Sequence, residues 1–357
     1  MPRENDSGFL AAVWHGASDV RLERRQRRPL RSGEVRIAVS YCGICGSDLH
    51  EYSNGPHAIP IGKPHRVSGE AAPLVIGHEF SGAVTEAATG VGIAVGTRVA
   101  VEPEYRCGSC AACRRGEYNL CVAMGFAGLM GSGGMSEEAV VPAYMLHPLP
   151  DSVTDRQAAV LEPAAVALHA LRRGRVRAGD TVAVAGAGPI GLLIAQLARI
   201  AGARRVVVSD VSETRLAMAL DLGATEILNA AGQDLAAVAA GVDVAFEAVG
   251  IQSTLDAALA SVRKGGRVVF VGLCNGPISL DGFDIVNREL ELIASVGYRD
   301  IYPDLIGMIA SGLFDPSRIV TREIPLANAV TDGLERLRTQ SGDVKILINP
   351  SAKGDLS

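Results

Sequence analysis

The chain has 357 residues, of which 48% are hydrophobic and 20% are charged. A chain of this length usually forms more than one domain, and this one has enough apolar material for two cores. Its net charge of -5 disfavours a nucleic-acid binder, which would concentrate Lys and Arg for phosphate contacts. Because no apolar run reaches the ~20 residues of a membrane span and the N-terminus is polar, we expect a cytoplasmic protein with no membrane segment.

The N-terminal part of the sequence predicts short, Val-rich strands separated by glycines and prolines. Residues 34–41, 81–85 and 98–101 are examples. Strands of this kind are typical of a compact, mostly β domain with long loops. We therefore assign residues 1–155 to one domain.

Cysteines and histidines cluster in this first domain. Five of the seven cysteines lie between residues 42 and 113, which in a reducing compartment indicates metal binding rather than disulfides. Two turns carry mixed donor groups, with Cys42, Cys45, Ser47, Asp48 and His50 in the first and His78 and Glu79 in the second. By spacing alone, either cysteine and either histidine could bind zinc. A zinc site with three protein ligands keeps one position open, where the metal acts as a Lewis acid on a bound hydroxyl.

A second cysteine motif has the spacing C-x2-C-x2-C-x7-C. Its members are Cys107, Cys110, Cys113 and Cys121. Four thiolates complete a tetrahedral zinc site with no open position, so this site is predicted to be structural. Four-cysteine lobes also occur in nucleic-acid-binding zinc ribbons, an alternative that the acidic composition disfavours.

The sequence pattern changes after about residue 156 to an alternation of strands and helices. Strands are predicted at 181–185, 205–209, 242–247 and 267–271, and helices at 189–201 and 213–222. This alternation indicates a parallel sheet covered on both faces by helices. We assign residues 156–294 to this second domain, and residues 295–357, which end in a predicted strand at 345–348, to a segment that returns to the first.

A glycine-rich turn stands between the first strand and the first helix of the second domain. It contains Gly186, Gly188, Pro189, Ile190 and Gly191. Glycines at this spacing allow a tight turn, close approach of a pyrophosphate and close packing of the helix, which together predict a dinucleotide site. Asp210 follows about 20 residues later, where a carboxylate accepts hydrogen bonds from ribose hydroxyls and repels a 2′-phosphate.

We therefore expect NAD rather than NADP, with Arg215 as a further contact on the adenine or ribose side. The simpler alternative is that Asp210 only caps the helix that begins near Glu213.

Four features follow one another along the chain: the Cys-Gly-Ser-Asp step at 45–48, the Gly-His-Glu step at 77–79, the four-cysteine motif and the glycine turn. In this order they resemble the zinc-containing medium-chain alcohol dehydrogenases. The resemblance covers nearly the whole chain. It implies an α/β two-domain fold, with a GroES-like, mostly β catalytic domain and a Rossmann domain built on a doubly wound parallel sheet. It also implies homodimers or homotetramers, and two zinc ions per chain.

The family resemblance implies that Cys45 and His78 bind the catalytic zinc and that Cys42 does not. Glu162 stands where the ethanol-type enzymes carry a third cysteine ligand and where the polyol and butanediol branches carry glutamate. Glu162 is therefore expected to bind zinc directly or through water, while Glu79 either binds directly or lies close behind. The resemblance further implies a proton relay through Ser47 and His50.

The sequence around Tyr52 and the step Gly297-Tyr298-Arg299 look most like the butanediol dehydrogenase branch. That branch interconverts vicinal diols and hydroxyketones. Tyr52, Glu102 and Arg299 are the predicted substrate contacts. The predicted function is a zinc- and NAD-dependent oxidation of a secondary alcohol or vicinal diol; polyol, threonine or aminocyclitol oxidation and a metal-free reductase remain alternatives.

Overall fold

A computed structural model describes residues 8–274, 276–339 and 342–352. The chain divides into two compact units. The first contains the chain up to Glu162, the segment Tyr302–Ala310 and the chain from Val320 onward, and the second contains Pro163–Ile301 and Ser311–Ile319. Each unit has its own hydrophobic core.

The strands and helices of the described residues are numbered in chain order. The strands are β1 Gly8–Gly16, β2 Asp19–Gln26, β3 Glu34–Gly43, β4 Leu74–Val75, β5 Glu79–Ala87, β6 Arg98–Val101, β7 Glu104–Tyr105, β8 Gly125–Phe126, β9 Glu138–Pro142, β10 Leu146–Pro148, β11 Thr181–Ala185, β12 Arg205–Asp210, β13 Glu226–Asn229, β14 Val242–Glu247, β15 Val262–Phe270, β16 Glu291–Ala294, β17 Val320–Pro325 and β18 Lys345–Asn349. The helices are α1 Gly46–Asn54, α2 Ala111–Arg114, α3 Asp155–Ala158, α4 Leu161–Arg173, α5 Pro189–Ile200, α6 Glu213–Asp221, α7 Leu235–Val238, α8 Gln252–Ser261, α9 Gly282–Asn287, α10 Tyr302–Ala310 and α11 Glu335–Arg338. Within these described ranges, no helix is both long and apolar enough to cross a membrane.

The first unit is built on β-sheets. Among the described residues, its larger sheet has seven strands, in the order β10-β6-β5-β3-β18-β17, and β9 also pairs with β3. Val35, Ile37 and Val39 alternate along β3 and are buried in the core, as one face of a pleated strand requires. Trp14 and Phe80 pack into the same core. The central position of β3 makes the end of this strand a fixed point for the residues that follow it.

The second unit contains a parallel sheet of six strands in the part of the chain that is described, in the order β13-β12-β11-β14-β15-β16. Every residue of the central strand β11 is buried. A strand that is buried on both faces is characteristic of a parallel sheet with helices on each side. The predicted α/β two-domain fold is therefore confirmed.

Most predicted strands of the second unit have the bounds that the sequence indicated. β11 and β14 begin and end as predicted, whereas β15 begins five residues earlier than the predicted strand at 267–271. The early part of β15 contains Gly265 and Gly266. Because glycine pairs are typical of turns, the sequence pattern hid this part of the strand.

The division between the units falls after Glu162 rather than at the expected boundary of 155 and 156. The physical reason is that α3 is bound to the first unit, since Ser81 Oγ donates to the carbonyl of Asp155 at 2.7 Å and Arg98 Nε donates to its carboxylate at 2.9 Å. The segment 295–357 does not return to the first unit as one piece. Tyr302 Oη donates to the carbonyl of Val101 in the first unit, but residues 295–301 and 311–319 belong to the second.

Candidate active site

Adjacent strands of the first unit bring three metal-binding groups together. β3 ends at Gly43, two residues before Cys45, and Gly43 pairs with Glu79 at the start of β5. The Cys45 thiol, a ring nitrogen of His78 and a carboxylate oxygen of Glu79 all lie within 4.8 Å of one another. Sulfur, nitrogen and oxygen donors at this spacing suit zinc.

The imidazole of His78 is buried between two groups of helix α1. Its Nδ1 lies 3.5 Å from Asp48 Oδ1, and its Nε2 lies 3.3 Å from Ser47 Oγ. Asp48 also accepts a hydrogen bond from the backbone N–H of Cys45 at 2.9 Å, so one carboxylate orients both residues. Burial opposes a charge on His78, but Asp48 and Cys45 outweigh it and raise the pKa well above its usual value. These surroundings favour a positive charge, which a metal ion supplies.

A glycine turn sets the position of His78. Gly77 has a φ of +90°, and a Cβ there would lie 2.5 Å from Met135 Cγ and 2.7 Å from Cys42 Sγ. Cys42 therefore fills space behind the turn, where burial raises the pKa of its thiol. Among the described residues, Cys42 is outside the compact group of donors.

The four cysteines of the second motif form one cluster. Their sulfur atoms, from Cys107, Cys110, Cys113 and Cys121, all lie within 4.8 Å of one another. Backbone N–H groups donate to these sulfurs, for example from Cys110 to Cys107 Sγ at 3.3 Å. Hydrogen bonds from the backbone of Ser109 and Cys110 lower the pKa of Cys107 to about 6, which favours the thiolate that zinc requires. The cluster fits a closed, structural zinc site.

The glycine turn of the second unit has the geometry of a dinucleotide site. Gly186 follows β11 with a φ of +105°, and a Cβ at Gly191 would lie 1.8 Å from the carbonyl oxygen of Gly186. Gly188 is the N-cap of α5, whose first residues are Pro189 and Ile190, and a Cβ at Gly188 would meet nothing within 4 Å. The open space lies directly in front of a helix N-terminus, where a pyrophosphate binds.

Asp210 ends β12 beside this turn. Its carboxylate accepts hydrogen bonds from the backbone N–H groups of Ala187, at 2.7 Å, and Ser212, at 2.9 Å. The side chain that caps α6 is Ser212, which accepts from the backbone of Arg215. The carboxylate therefore joins the ends of β11 and β12, and its remaining lone pairs can accept further hydrogen bonds.

Comparison with known proteins identifies the family. Residues 31–151 match the description "Alcohol dehydrogenase GroES-like domain", and residues 189–311 match "Zinc-binding dehydrogenase". The (R,R)-butanediol dehydrogenase of Bacillus subtilis is 40% identical, across 96% of this chain and 99% of the relative. This chain belongs to the zinc-containing medium-chain alcohol dehydrogenases. A sorbitol dehydrogenase of the same organism is 35% identical over 96% of this chain and 97% of its own length.

The fold of the dehydrogenase agrees with that of a solved relative. The crystal structure of the 2R,3R-butanediol dehydrogenase from Bacillus subtilis has a TM-score of 0.90 and 40% identity, and covers 96% of this chain and 100% of that one. This dehydrogenase is accordingly an oxidoreductase that uses zinc and a nicotinamide dinucleotide. The donor groups around Cys45, the four-cysteine cluster and the turn at Gly186 fit these cofactors.

Lys345 is a residue of the dehydrogenase site that the sequence analysis missed. Its Nζ donates to both carboxylate oxygens of Glu79, at 2.7 and 2.8 Å, and to the carbonyl of Ile44 at 2.9 Å. Lys345 is 1% exposed, and Glu79 is 0% exposed. Burial alone would lower the pKa of Lys345, but the charges of Glu79 and Cys45 raise it. Its one sequence signal is a lysine directly before the apolar run 346–348 of β18.

Three of the other buried glutamates in the first unit concern the site. Glu162 lies at the start of α4, outside the compact donor group of the described residues. Both oxygens of Glu102 are engaged, one by the hydroxyl of Tyr118 at 2.7 Å and the other by His147 Nε2 at 2.8 Å. A predicted substrate contact is thus part of an internal network.

The third of these glutamates is Glu104, which the sequence analysis did not predict as a site residue. Neither of its carboxylate oxygens has a hydrogen-bond partner among the described residues, and burial, followed by the charge of Glu102, raises its pKa to about 9. Glu104 pairs across β7 and β8 with Phe126, whose ring centroid lies 6.1 Å from that of His78. Burial therefore favours the neutral form of the Glu104 carboxyl.

The remaining predicted site residues have different surroundings. The Tyr52 hydroxyl donates to Glu335 at 2.6 Å, and burial, together with Glu335, raises the pKa of Tyr52 to about 12. His50 is exposed on α1, with its ring centroid 6.4 Å from that of His57. Arg299 belongs to the second unit, where it lines a cavity with other arginines.

Replacing Lys345 by methionine should destabilise the first unit. The change leaves the charge of Glu79 buried without its partner, which we expect to lower the free energy of unfolding by about 3–5 kcal/mol. Urea unfolding followed by the fluorescence of Trp14, the one tryptophan of the chain, measures this loss in the first unit. The double variant Lys345→Met with Glu79→Gln is the control and should recover part of it. A loss below about 1 kcal/mol in the single variant would show that the pair is unimportant.

Replacing Cys113 by serine should remove one zinc ion per chain. The variant lacks one of four thiolates of the closed cluster, so the cluster should lose its metal and thermal stability should fall. Metal analysis by mass spectrometry and a thermal melt measure the two effects. Cys42→Ala is the matched control, because Cys42 is buried but outside both donor groups, and it should retain the wild-type zinc content. An unchanged zinc content in Cys113→Ser would rule out the structural site.

Proposed function

We propose that this dehydrogenase oxidises a vicinal diol of the 2,3-butanediol type to the hydroxyketone with NAD, and catalyses the reverse reaction. The observation that carries the proposal is the donor set, in which Cys45 and His78 are joined by one carboxylate, that of Glu79, and by no second thiol of the described residues. The resemblance to the family implies that a carboxylate in the third zinc-ligand position distinguishes the polyol and butanediol branches from the ethanol-type enzymes. The relative that is 40% identical carries the butanediol name.

We assign the catalytic zinc ligands to Cys45, His78 and Glu162, with Glu162 bound directly or through water. Glu79 is the less suitable ligand, because Lys345 donates to both of its oxygens. When bound, zinc supplies a Lewis acid for the substrate hydroxyl and NAD accepts the hydride. Glu79 and Lys345 together hold the shape of the site and keep its charge balanced.

The protein moves the substrate proton toward solvent through two groups of α1. Ser47 Oγ lies 3.3 Å from His78 Nε2, so this hydroxyl is adjacent to the metal-binding group. His50 is exposed on the same helix, and an imidazole exchanges protons with water near neutral pH. Ser47 accordingly accepts the proton, and His50, exposed on the same helix, passes it to water.

The coenzyme assigned to the second unit is NAD. The pyrophosphate binds at the turn from Gly186 to Gly191, and the ribose hydroxyls bind Asp210, beside Arg215. The carboxylate of Asp210 accepts from backbone N–H groups at the edge of this turn, where it would repel the 2′-phosphate of NADP.

A second copy of the chain is the proposed partner. The support is a pair of apolar side chains on α9, where Phe283 and Val286 are 78% and 75% exposed. Exposed apolar groups close together are typical of an interface, and a mass determination in solution distinguishes dimer, tetramer and monomer.

A reducing cytoplasm is the assigned location, because the four-cysteine zinc site requires reduced thiols.

The function is tested by the rate of NAD reduction with the zinc-loaded enzyme. The substrates are the stereoisomers of 2,3-butanediol, 2-butanol, sorbitol, threonine and an aminocyclitol. We expect one butanediol stereoisomer to exceed sorbitol and threonine in kcat/KM by at least about tenfold, a difference of ~1.4 kcal/mol in transition-state binding. A preference for sorbitol, threonine or the aminocyclitol would reassign the substrate. No reduction of NAD with any of these compounds would refute the function.

His50→Ala should slow oxidation more at neutral pH than at high pH. At high pH hydroxide replaces the imidazole as the final proton acceptor, so the variant should approach the wild-type rate. The pH profile of kcat measures this difference. His57→Ala is the matched control, since its ring is nearby and exposed but outside the relay. Equal slowing by His50→Ala at every pH would remove His50 from the relay.

A further inference from the structure

Glu247 is a buried carboxylate at the end of a central strand of the second unit. It is the last residue of β14 and is 1% exposed. One of its oxygens, Oε2, has no hydrogen-bond partner among the described residues. Burying a polar atom without a partner costs free energy, so stability alone does not account for a glutamate at this position.

The other carboxylate oxygen, Oε1, accepts three hydrogen bonds. The backbone N–H groups of Val249 and Gly250 donate to it at 2.9 and 2.8 Å, and the hydroxyl of Thr254 donates at 2.7 Å. These donors belong to the loop 248–251 and to the first turn of α8. The side chain therefore fixes the loop that leaves its own strand.

A second loop, 271–273, follows β15 and also contacts Glu247. The carbonyl of Glu247 accepts from the backbone N–H groups of Val271, at 2.9 Å, and Gly272, at 3.0 Å. A Cβ at Gly272 would lie 2.6 Å from Glu247 Oε2 and 2.3 Å from the backbone nitrogen of Gly250. One residue thus holds both loops, and a glycine is required where they meet.

Both loops lie at the edge of the sheet where a dinucleotide binds. From β11 the chain proceeds to β12 and β13 on one side and later to β14 and β15 on the other, and Ala185 of β11 pairs with Glu247. Dinucleotides bind outside the carboxyl ends of parallel strands at such a reversal. A Cβ at Gly186 would lie 2.6 Å from Val249 Cγ2, so the loop 248–251 is next to the glycine turn.

We propose that Glu247 is a positioning residue for the coenzyme, which holds the loops 248–251 and 271–273 in the arrangement that receives NAD. The carboxylate is buried and acts through the backbone of these loops rather than by touching the coenzyme. Loops released from Glu247 would adopt other arrangements for part of the time, and the affinity falls with the fraction of molecules that can bind. This role of Glu247 rests on the coenzyme site proposed at the glycine turn.

The role is tested by titrating the zinc-loaded enzyme with NADH and following the fluorescence of the coenzyme. Glu247→Gln, which has nearly the same shape but lacks the charge, should raise the Kd for NADH by about tenfold, because bonds to a charged acceptor are the stronger ones. Thr254→Val removes one of the three donors and should raise the Kd by about threefold, which keeps the test valid if Glu247→Gln folds poorly. A variant with a purely structural defect would bind fewer NADH molecules per chain without a change in Kd.

Two further variants are the controls. Thr254→Ser retains the hydroxyl and should restore the wild-type Kd. Asp256→Asn removes an exposed carboxylate from the same helix α8, away from both loops, and should change the Kd by less than about twofold. Equal weakening by Asp256→Asn would indicate a general effect of charge and contradict the role of Glu247.

Steady-state kinetics separate positioning from a general loss of activity. With the alcohol that the wild-type enzyme oxidises fastest, Glu247→Gln should raise the KM for NAD while kcat at saturating NAD stays within about twofold of wild type. If wild-type enzyme does not bind NADH saturably, the coenzyme site and the role of Glu247 are both wrong. If wild type binds NADH, and Glu247→Gln and Thr254→Val retain its Kd, the coenzyme site stands and the role of Glu247 is refuted.

Discussion

The buried ion pair of Glu79 and Lys345 joins the strands that surround the metal-binding group. Glu79 begins β5 and Lys345 begins β18, and both strands are hydrogen-bonded to β3 near its end. Two charges this deeply buried are stable only when each has its partner and further hydrogen bonds, here including the carbonyl of Ile44. Strand β18 is therefore held to Ile44 and Glu79, which lie 301 and 266 positions from Lys345 in sequence.

The ion pair of Glu79 with Lys345 also explains why the adjacent residues His78 and Glu79 have different roles at the metal-binding group. His78 directs one ring nitrogen toward Asp48 and leaves the other beside Ser47, so a metal-binding nitrogen is available. Glu79 follows it in sequence, but its oxygens are turned toward Lys345. His78 lies in the turn after Gly77, whereas Glu79 is the first residue of β5, and the two side chains serve the donor group and its support.

Local sequence features were the ones that could be predicted well. The spacing of the four cysteines, the glycine turn at 186–191 and the alternation of strands and helices each depend on residues close together in the chain. The long strand β15 was predicted only in part, because its two glycines are typical of turns. Glu102 stays a predicted substrate contact, and the structure adds that Tyr118 and His147 each bind one of its oxygens. No pattern near Glu102 indicates which distant hydroxyl or imidazole will reach it.

The sequence by itself determined the fold class, the two kinds of metal-binding motif and the nucleotide turn. These follow from periodicity, from residue spacing and from the conformational freedom of glycine, all of which act over short distances. Only the tertiary structure decided which carboxylates are engaged, that Lys345 is the partner of Glu79, and that Arg299 shares a cavity with arginines of α4. Those outcomes depend on contacts between residues far apart in the chain, whose distances and burial are set when the sheets pack.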